Sequence, residues 1–562
     1  MERRKRKKKL KVGRIIITLI ILGGLFFAGS KLLNFTKEKI IIKDSYIASE
    51  VSQVSVYTYN EETSKMEETS KIPRGVKIKT SNKNKTIEDI NYIEITYNEQ
   101  KYYINEINLN ENPKEVVKET EKFVRTSVTV YKNEKDSKIS SFIRKGNSLQ
   151  ILDYDKLDSE GNVNMYKIKK DKIEGWVYAK YLVDTKELAD SPYNENGIYD
   201  KHKDRKYGRE LYGGSTKTLD YYPYEHPEFE NNPLLKQAKA MYLNAGANVI
   251  NQIDSYLEIA KSSGVNAIVV DLKDGALAYP MKVAKEYSMT AYNTAINSQE
   301  NYKKAIDKIK EAGIYVIGRI VVFNDPHYGK DHPEDCIKST ASSRLWPSAY
   351  SRGAWEYNVE LAKQAIKDVG FNEIQFDYVR FPEDAYNMSL RGNTDFKNTY
   401  GEEKAEAVQN FLFYAADQIH KENVYLSVDV FGECSGTYVT SYGQYWPAIS
   451  NIVDAISSMP YTDHFGRTVD TWSNPYKTVN NWAKGAAERQ KEIPTPAIPR
   501  TWITAYDTPY WNPTVIYNAS KIEDQVRALY DNGLDGGFIT WNSASSLDKY
   551  EQIKGAFAKN YE

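Results

Sequence analysis

The segment that decides the fold is Phe371-Asn-Glu-Ile-Gln-Phe-Asp-Tyr-Val-Arg-Phe-Pro-Glu-Asp384. A helical pattern of apolar residues precedes it over residues 355–369, and Gly370 is a residue type that commonly ends helices. Residues 373–379 alternate between apolar and polar side chains, which predicts a β-strand. A helix followed directly by such a strand is typical of parallel α/β folds.

Gln375 and Asp377 lie on one face of this strand, because side chains along a strand point alternately to opposite sides. If helices cover the apolar face, we expect Asp377 inside the fold, at the C-terminal end of the strand. A carboxylate is costly to bury unless it is paired or takes part in chemistry. Asp377 is therefore a candidate catalytic residue, and a salt bridge with Arg380 is the structural alternative.

Three further stretches belong with this segment: Ala267-Ile-Val-Val-Asp-Leu-Lys-Asp274, Tyr315-Val-Ile-Gly-Arg-Ile-Val-Val-Phe-Asn-Asp-Pro326 and Leu426-Ser-Val-Asp-Val-Phe-Gly432. Together, the four stretches resemble a bacterial family of glycoside-hydrolase-like barrel domains, long catalogued as a domain of unknown function. The resemblance covers roughly residues 236–562. It implies O-glycosyl hydrolysis and names no substrate.

The N-terminus combines a basic tail with an uncharged apolar run. Residues 1–14 hold nine Lys or Arg residues against one acid, and residues 15–30 carry no charge. This order predicts a cytoplasmic tail (1–14) and a transmembrane anchor (15–35), with the bulk of the chain outside the cell. A cleavable signal is the alternative, since Ala28-Gly-Ser30 resembles a cleavage site. The apolar run argues for a membrane rather than nucleic acid as the partner of the basic residues.

The next region contains an internal repeat of two short all-β units. At 562 residues the chain predicts three or four domains. The units span 46–112 and 122–184 and resemble bacterial SH3-like domains, a resemblance that implies binding of cell-wall glycan or peptide. The second unit keeps the Gly-Trp-Val at 175–177, and the first has Tyr-Tyr in place of Gly-Trp. A spacer role is the alternative. Residues 185–235 are interpreted as a linker.

Residues 236–562 predict a closed (β/α)8 barrel. Apolar strands alternate there with amphipathic helical runs, the pattern of parallel βαβ units. Candidate strands lie near 240–244, 266–271, 314–321, 373–378, 424–430, 452–458, 497–503 and 535–541. An open doubly wound sheet is the alternative, but no glycine-rich phosphate loop follows the first strand.

The predicted active site lies at the C-terminal ends of these strands, as it does in barrel enzymes generally. Six of the eight ends carry an acid. Glycoside hydrolysis needs one ionised and one protonated carboxyl group. The family resemblance puts the nucleophile or base on the fourth strand, at Asp377, and the acid near the fifth, at Asp429 or Glu433. Arg319 and Arg380 are candidates for keeping Asp377 ionised.

Side chains near the same strand ends are predicted to bind the polysaccharide. Asp271 and Lys273 share strand parity, so both are expected to face the lumen. The candidate substrate-binding residues are Asp271, Lys273, Arg319, Gln375, Arg380, Asp463, Trp502 and Trp541. No cofactor and no metal ion are expected.

Two other classes of function remain open at this stage. His327, His332, Cys336, Cys434 and His464 fall in predicted rim loops, so a metal-dependent hydrolase such as a deacetylase is conceivable, although their spacing matches no familiar ligand pattern. The second class is a barrel that only binds glycan. The two cysteines of the chain provide no disulfide framework.

Overall fold

The computed structural model describes residues 41–561, except 203–212, 341, 392, 467 and 509–513. The predicted tail (1–14) and anchor (15–35) therefore lie outside the described residues. Within the described part of the chain, no helix has both the length and the apolar character needed to cross a bilayer. The chain divides into two compact units, Met1–Thr120 with Ile151–Tyr166 and Glu121–Gln150 with Lys167–Glu562.

The first repeat forms one sheet of seven strands among the described residues. The strands are Ile42–Ile47, Gln53–Asn60, Lys65–Pro73, Lys77–Ile87, Ile90–Tyr97, Gln100–Asn105 and Leu109–Asn110. Their order in the sheet is third, second, sixth, fifth, fourth, first and seventh. Alternating side chains bury Val54, Val56, Ile95 and Ile104 in a common core.

The second repeat has the same topology. Its seven described strands are Glu121–Val124, Val128–Tyr131, Ile139–Ile143, Ser148–Tyr154, Met165–Lys170, Ile173–Tyr178 and Leu182–Val183. They follow the same order, third, second, sixth, fifth, fourth, first and seventh. The identical topology confirms the internal repeat, while the likeness to SH3 domains stays a prediction.

The C-terminal region forms a nearly closed barrel of nine parallel strand segments in the described chain. They are Ala238–Leu243, Ala267–Asp274, Tyr315–Val321, Glu373–Asp377, Tyr425–Phe431, Ala455–Met459, Ile498–Pro499, Thr501–Thr504 and Gly537–Trp541. The first segment pairs with the last, at Ala238 and Gly537. Two segments are separated only by Arg500, whose backbone N–H donates to the carbonyl of Ile456 at 2.9 Å. Counted as one interrupted strand, they bring the barrel to the eight strand positions that the sequence predicts.

Helices alternate with the barrel strands and cover their outer faces. They are Ala247–Asn251, Ile253–Ser263, Lys282–Tyr287, Met289–Tyr292, Gln299–Glu311, Pro326–Asp331, Arg352–Asp368, Ala385–Leu390, Lys404–Ile419, Trp446–Ser450, Val469–Ser473, Pro475–Lys491, Ala519–Tyr530 and Leu547–Phe557. The predicted segment 373–379 is a strand from Glu373 to Asp377, and the helix before it begins after the N-cap Ser351.

A buried ion pair fills the N-terminal end of the barrel. Glu373 begins the fourth strand, and the guanidinium of Arg500 donates to its two oxygens at 2.8 and 2.6 Å. Both side chains are fully buried, and the hydroxyl of Tyr315 donates to Glu373 at 3.1 Å. This ion pair fills the N-terminal end of the barrel. The candidate active site therefore lies at the other end, where the fourth strand reaches Asp377.

The second repeat and the linker contribute contacts to the barrel unit. Arg144 donates two hydrogen bonds to Glu406, at 2.9 and 2.8 Å, and Tyr181 donates to Asp417 at 2.9 Å. All residues of the helix Lys404–Ile419 are buried as a result. The described part of the linker includes the helix Lys186–Asp190 and the buried residues Tyr199, Leu219 and Tyr221, which share an apolar cluster with Ala405, Val439, Tyr445 and Ala448.

Candidate active site

Arg319, on the third barrel strand, lies at the centre of the site. Its guanidinium contacts four carboxyl groups: Asp271 (Nη1–Oδ1, 2.7 Å), Asp274 (Nη1–Oδ2, 3.1 Å), Asp377 (Nη2–Oδ2, 2.6 Å) and Asp429 (Nε–Oδ2, 3.6 Å). These carboxyls come from the second, fourth and fifth strands. The arginine therefore joins three strand ends that are far apart in sequence.

A β-bulge in the second strand changes which side chains face the lumen. Asp271 pairs with Arg319, but Lys273 pairs with Ile320, so one residue of the second strand is extra at this point. Such a bulge redirects the side chains that follow it. Asp274 consequently reaches Arg319 inside the barrel. The ammonium of Lys273 instead donates to Asp325 at 2.5 Å and to Asn358 at 2.7 Å, on the helix side.

Asp377 occupies the predicted place at the end of the fourth strand and is almost completely buried. Its Oδ2 accepts from Arg319, and its Oδ1 accepts from the backbone N–H of Tyr378 at 2.6 Å. Tyr378 has a φ of 54°, a left-handed conformation that is uncommon for a bulky residue. The ion pair with Arg319 suits a carboxylate better than a protonated acid.

Asp429, on the fifth strand, is buried deeper than Asp377. The indole N–H of Trp502 donates to its Oδ1 at 2.7 Å. Among the described residues, its Oδ2 and the Nε of Arg319 have no hydrogen-bond partner. Burial, and then the neighbouring charge of Asp377, raise the pKa of Asp429 well above its ordinary value.

Glu433 lies at the rim, just beyond the fifth strand, in the short 3₁₀ helix Gly432–Ser435. Its side chain is exposed, and it accepts hydrogen bonds of 3.0 Å from the hydroxyls of Tyr438 and Tyr442. The carbonyl of Gly432 accepts from the indole of Trp482 at 3.0 Å, which holds the start of the 3₁₀ helix. The side chain of Glu433 is thus held by two hydroxyl groups and is accessible to solvent.

Arg380 does not pair with Asp377, and Gln375, predicted to bind substrate, lies inside the barrel. Arg380 donates to Glu383 at 2.7 Å and to the carbonyl of Phe381 at 3.0 Å. Gln375 donates to Ser457 at 3.1 Å inside the barrel. Both side chains are buried, so they support neighbouring strand ends and do not face open solvent.

The two predicted tryptophans form part of an aromatic wall. Trp541 lies 4.5 Å from the ring of Tyr242 and 5.5 Å from Trp502, measured between centroids. Trp502 is 1% exposed, so its main contacts are with the barrel and with Asp429, whereas Trp541 is only partly buried. Asp463, also partly buried, accepts from the hydroxyl of Tyr506 at 2.9 Å.

Tyr242 and Asp274 are members of the site beyond the predicted residues. The hydroxyl of Tyr242 donates to Asp271, the partner of Arg319. Burial raises the pKa of Asp271 to about 6, although Arg319 opposes the shift. Tyr242 could have been found from its place near the end of the first strand. Asp274 lies at the end of the second strand in the sequence as well, but strand parity assigns the lumen position to Lys273.

The residues considered for metal binding do not form a convincing metal centre. Within the described chain, the one cluster of three ligand atoms lying within 4.8 Å of one another is His332, Glu334 and Asp335. Both ring nitrogens of His332 already have partners, Glu334 at 3.1 Å and the carbonyl of Tyr287 at 2.6 Å. A metal-bound histidine needs one nitrogen for the ion.

A parallel barrel with acidic groups gathered at the C-terminal strand ends is an arrangement found in barrel glycosidases. The chain belongs to the family described as "Putative glycosyl hydrolase domain", whose family model matches residues 240–547. This match confirms the resemblance seen in the four sequence stretches. A comparison with curated proteins finds no match.

Solved structures to which the chain is similar include a hypothetical protein from Ruminiclostridium thermocellum ATCC 27405, which is 32% identical. The match covers 34% of this chain and 97% of that chain, with a TM-score of 0.28. The glycoside hydrolase domain of PgaB (BpsB) from Bordetella bronchiseptica is 11% identical over 58% of this chain and 99% of that chain, with a TM-score of 0.42. The spore cortex-lytic enzyme SleL of Bacillus megaterium QM B1551 is 12% identical over 58% and 75%, with a TM-score of 0.36.

Proposed function

We propose that the protein hydrolyses O-glycosidic bonds of a cell-surface or cell-wall polysaccharide, with Asp377 as nucleophile or base and Glu433 as acid. The observation that carries this assignment is the placement of Asp377 at the end of the fourth strand, bonded to Arg319, with the exposed Glu433 directly after the fifth. Asp377 is paired with the guanidinium of Arg319, which keeps it ionised, and so suits attack on the anomeric carbon, directly or through a water molecule.

The proton donor must reach the leaving oxygen, and this requirement favours Glu433 over Asp429. The side chain of Asp429 has no solvent exposure, and one of its oxygens is held by Trp502. Glu433 is exposed at the rim and is oriented by two tyrosine hydroxyls. In this scheme Asp429 acts electrostatically on Arg319 and Asp377.

The chemistry assigns one task to each remaining group. Glu433 transfers its proton to the glycosidic oxygen as the bond to the anomeric carbon breaks. Arg319 neutralises part of the charge of Asp377 and fixes its orientation. The partly buried face of Trp541, beside Tyr242, offers an apolar surface for the C–H face of a sugar ring.

The test is a product screen of the purified chain against bacterial surface and wall polysaccharides. We expect released reducing ends or oligosaccharides from the wild type and none from Asp377→Asn. A metal-dependent deacetylase would instead release acetate without shortening the polymer and would lose activity with a chelator. A barrel that only binds glycan would retain polymer without releasing any product.

We also propose that the basic tail and apolar run anchor the protein in the cell membrane, with the barrel outside the cell. Support comes from the charge order of residues 1–30. The two repeats, which follow the apolar run and precede the barrel in the sequence, would serve as binding modules for cell-wall glycan or peptide or as spacers.

A further inference from the structure

Even when Asp429 is counted as neutral, in line with its raised pKa, the centre of the site contains more negative charge than its cation balances. Arg319 is the one cation in contact with Asp271, Asp274, Asp377 and Asp429 in the described structure. Other nearby cations are engaged elsewhere: Arg380 pairs with Glu383, and Lys273 pairs with Asp325. A site with excess carboxylates either takes up protons or attracts a cation.

Asp274 is the member of this group that a ligand can reach. Its side chain is 46% exposed, whereas those of Asp271, Asp377 and Asp429 are at most 6% exposed. Only its Oδ2 has a hydrogen-bond partner among the described residues, Arg319 at 3.1 Å. Gly275 follows with a φ of 67°, and apart from its two chain neighbours no atom lies within 4 Å of the place where a Cβ would be. The backbone next to Asp274 is therefore open.

We propose that the site takes a sugar carrying a free ammonium group, a hexosamine unit without its N-acetyl group, and that Asp274 is the carboxylate that binds this ammonium. The inference rests on the proposed glycosidase function. An ammonium donates charge-assisted hydrogen bonds to a carboxylate, and it compensates the excess negative charge around Arg319. An acetamido group is neutral and provides neither effect.

A metal ion fits these carboxyls less well than an ammonium. Asp271 and Asp377 already use oxygens to bind the guanidinium, which occupies the space between the acids. Among the described residues, no three ligand atoms from these four acids lie within 4.8 Å of one another, whereas those of His332, Glu334 and Asp335 do. A divalent ion in proteins needs several oxygens at a common point.

The experiment measures binding to the full chain in detergent by calorimetry at low salt. The probes are glucosamine tetramers in β-1,4 and β-1,6 linkage and their fully N-acetylated counterparts. We expect the amino form to bind about tenfold more tightly than its acetylated counterpart in at least one linkage. Asp274→Asn should remove this preference, and salt should weaken it. Equal binding, preference for the acetylated form or no binding of any tetramer overturns the proposal.

Two controls separate the possible failures. Asp254→Asn removes a surface acid paired with Lys308 on the helix side of the barrel, and it should retain the preference. Binding of Ca²⁺ that abolishes the amino-sugar preference of the wild type and of Asp254→Asn would contradict the ammonium assignment. Hydrolysis of a neutral polysaccharide together with equal tetramer binding would overturn this inference alone. Full activity of Asp377→Asn would overturn the proposed function itself.

Discussion

At the scale of single residues, the site is organised by the guanidinium of Arg319. It holds Asp271 and Asp377 with hydrogen bonds of 2.7 and 2.6 Å, and the remaining nitrogen faces Asp429. A planar guanidinium can hold several carboxylates in defined directions, which an ammonium cannot do. Substitution of Arg319 by lysine is therefore not conservative at this position.

Asp377→Asn tests the assigned nucleophile or base. The variant keeps the shape of the side chain and removes its charge, so turnover should fall about 10³-fold or more while the fold survives. Hydrolysis rates on the polysaccharide identified in the screen, together with the melting temperature, measure the two effects. Activity close to that of the wild type would refute the assignment.

Glu433→Gln and Asp429→Asn distinguish the acid from the electrostatic partner. A general acid contributes about 10²–10⁴-fold, so Glu433→Gln should lose that much on a natural glycoside. It should lose far less on an activated aryl glycoside, whose leaving group departs without a proton. Asp429→Asn should lose similarly on both substrates. If instead Asp429→Asn lost far less on the aryl glycoside and Glu433→Gln lost similarly on both substrates, Asp429 would be the acid.

At the scale of elements, the linker is held on the barrel by a histidine–aspartate contact. His226 lies 3.3 Å from Asp454, which begins the sixth strand region, and 3.0 Å from the carbonyl of Thr495. His420 contacts the other oxygen of Asp454 at 2.8 Å. Burial alone would lower the pKa of His226, but Asp454 and the Thr495 carbonyl outweigh burial and raise it above its ordinary value of 6.5.

This contact predicts a pH-dependent contribution to stability. A histidine whose pKa is raised on folding stabilises the fold fully below the unfolded pKa, and the contribution is lost as pH rises through the folded pKa. His226→Gln should therefore cost about 1 kcal/mol in unfolding free energy at pH 5.5 and less at pH 8.5. Urea unfolding at the two pH values measures the difference. His464→Gln, at an exposed rim position, serves as control; an equal cost of His226→Gln at both pH values would contradict the prediction.

The second repeat is fastened to the barrel helix Lys404–Ile419 through Arg144. Its partner Glu406 is buried, and burial raises the pKa of this carboxyl while Arg144 opposes the shift. Arg144→Met leaves Glu406 without its charged partner, so we expect a loss of about 1–3 kcal/mol in unfolding free energy. The matched control is Lys167→Met, which breaks the exposed 3.0 Å pair with Glu174 and should lower the unfolding free energy far less than Arg144→Met does. Equal effects in urea unfolding would show that this contact contributes little.

At the scale of the whole molecule, the two repeats have the same topology but are divided differently between the two compact units. Most of the second repeat belongs to the unit that contains the barrel, and the whole first repeat belongs to the other unit. An enzyme acting on a polymer needs its barrel held where the polymer lies. The proposed anchor would place it outside the membrane.

Protease treatment of intact cells tests this placement. If residues 36–562 lie outside the cell, added protease should remove the barrel, and immunoblotting with an antibody against it should show the loss. A cytoplasmic protein serves as control for intact cells. Protection of the barrel would refute the proposed topology. A variant lacking residues 1–35 should be recovered in the soluble fraction.

The sequence by itself determined the class of fold and the strand ends that carry the chemistry. The periodicity of apolar residues indicates which segments are strands or helices. Seven of the eight predicted strands overlap the observed strands closely. The exception is the sixth, which is shorter than predicted and runs from Ala455 to Met459. Asp377, Asp429 and Arg319 could be selected because each lies at or near the end of an apolar strand. These features depend on local order along the chain.

The tertiary structure decided which of those side chains meet. Because of the bulge after Asp271, the side chain of Asp274 faces the lumen in place of that of Lys273. A bulge is defined by how a strand pairs with its neighbour, and the local periodicity of the sequence does not contain this information. Arg380 is drawn to Glu383 and away from Asp377, because the loop after the fourth strand places that acid beside it. Contacts between strands that are distant in sequence, and the burial that these contacts produce, determine the electrostatics of the site. The pattern of strands along the sequence does not determine them.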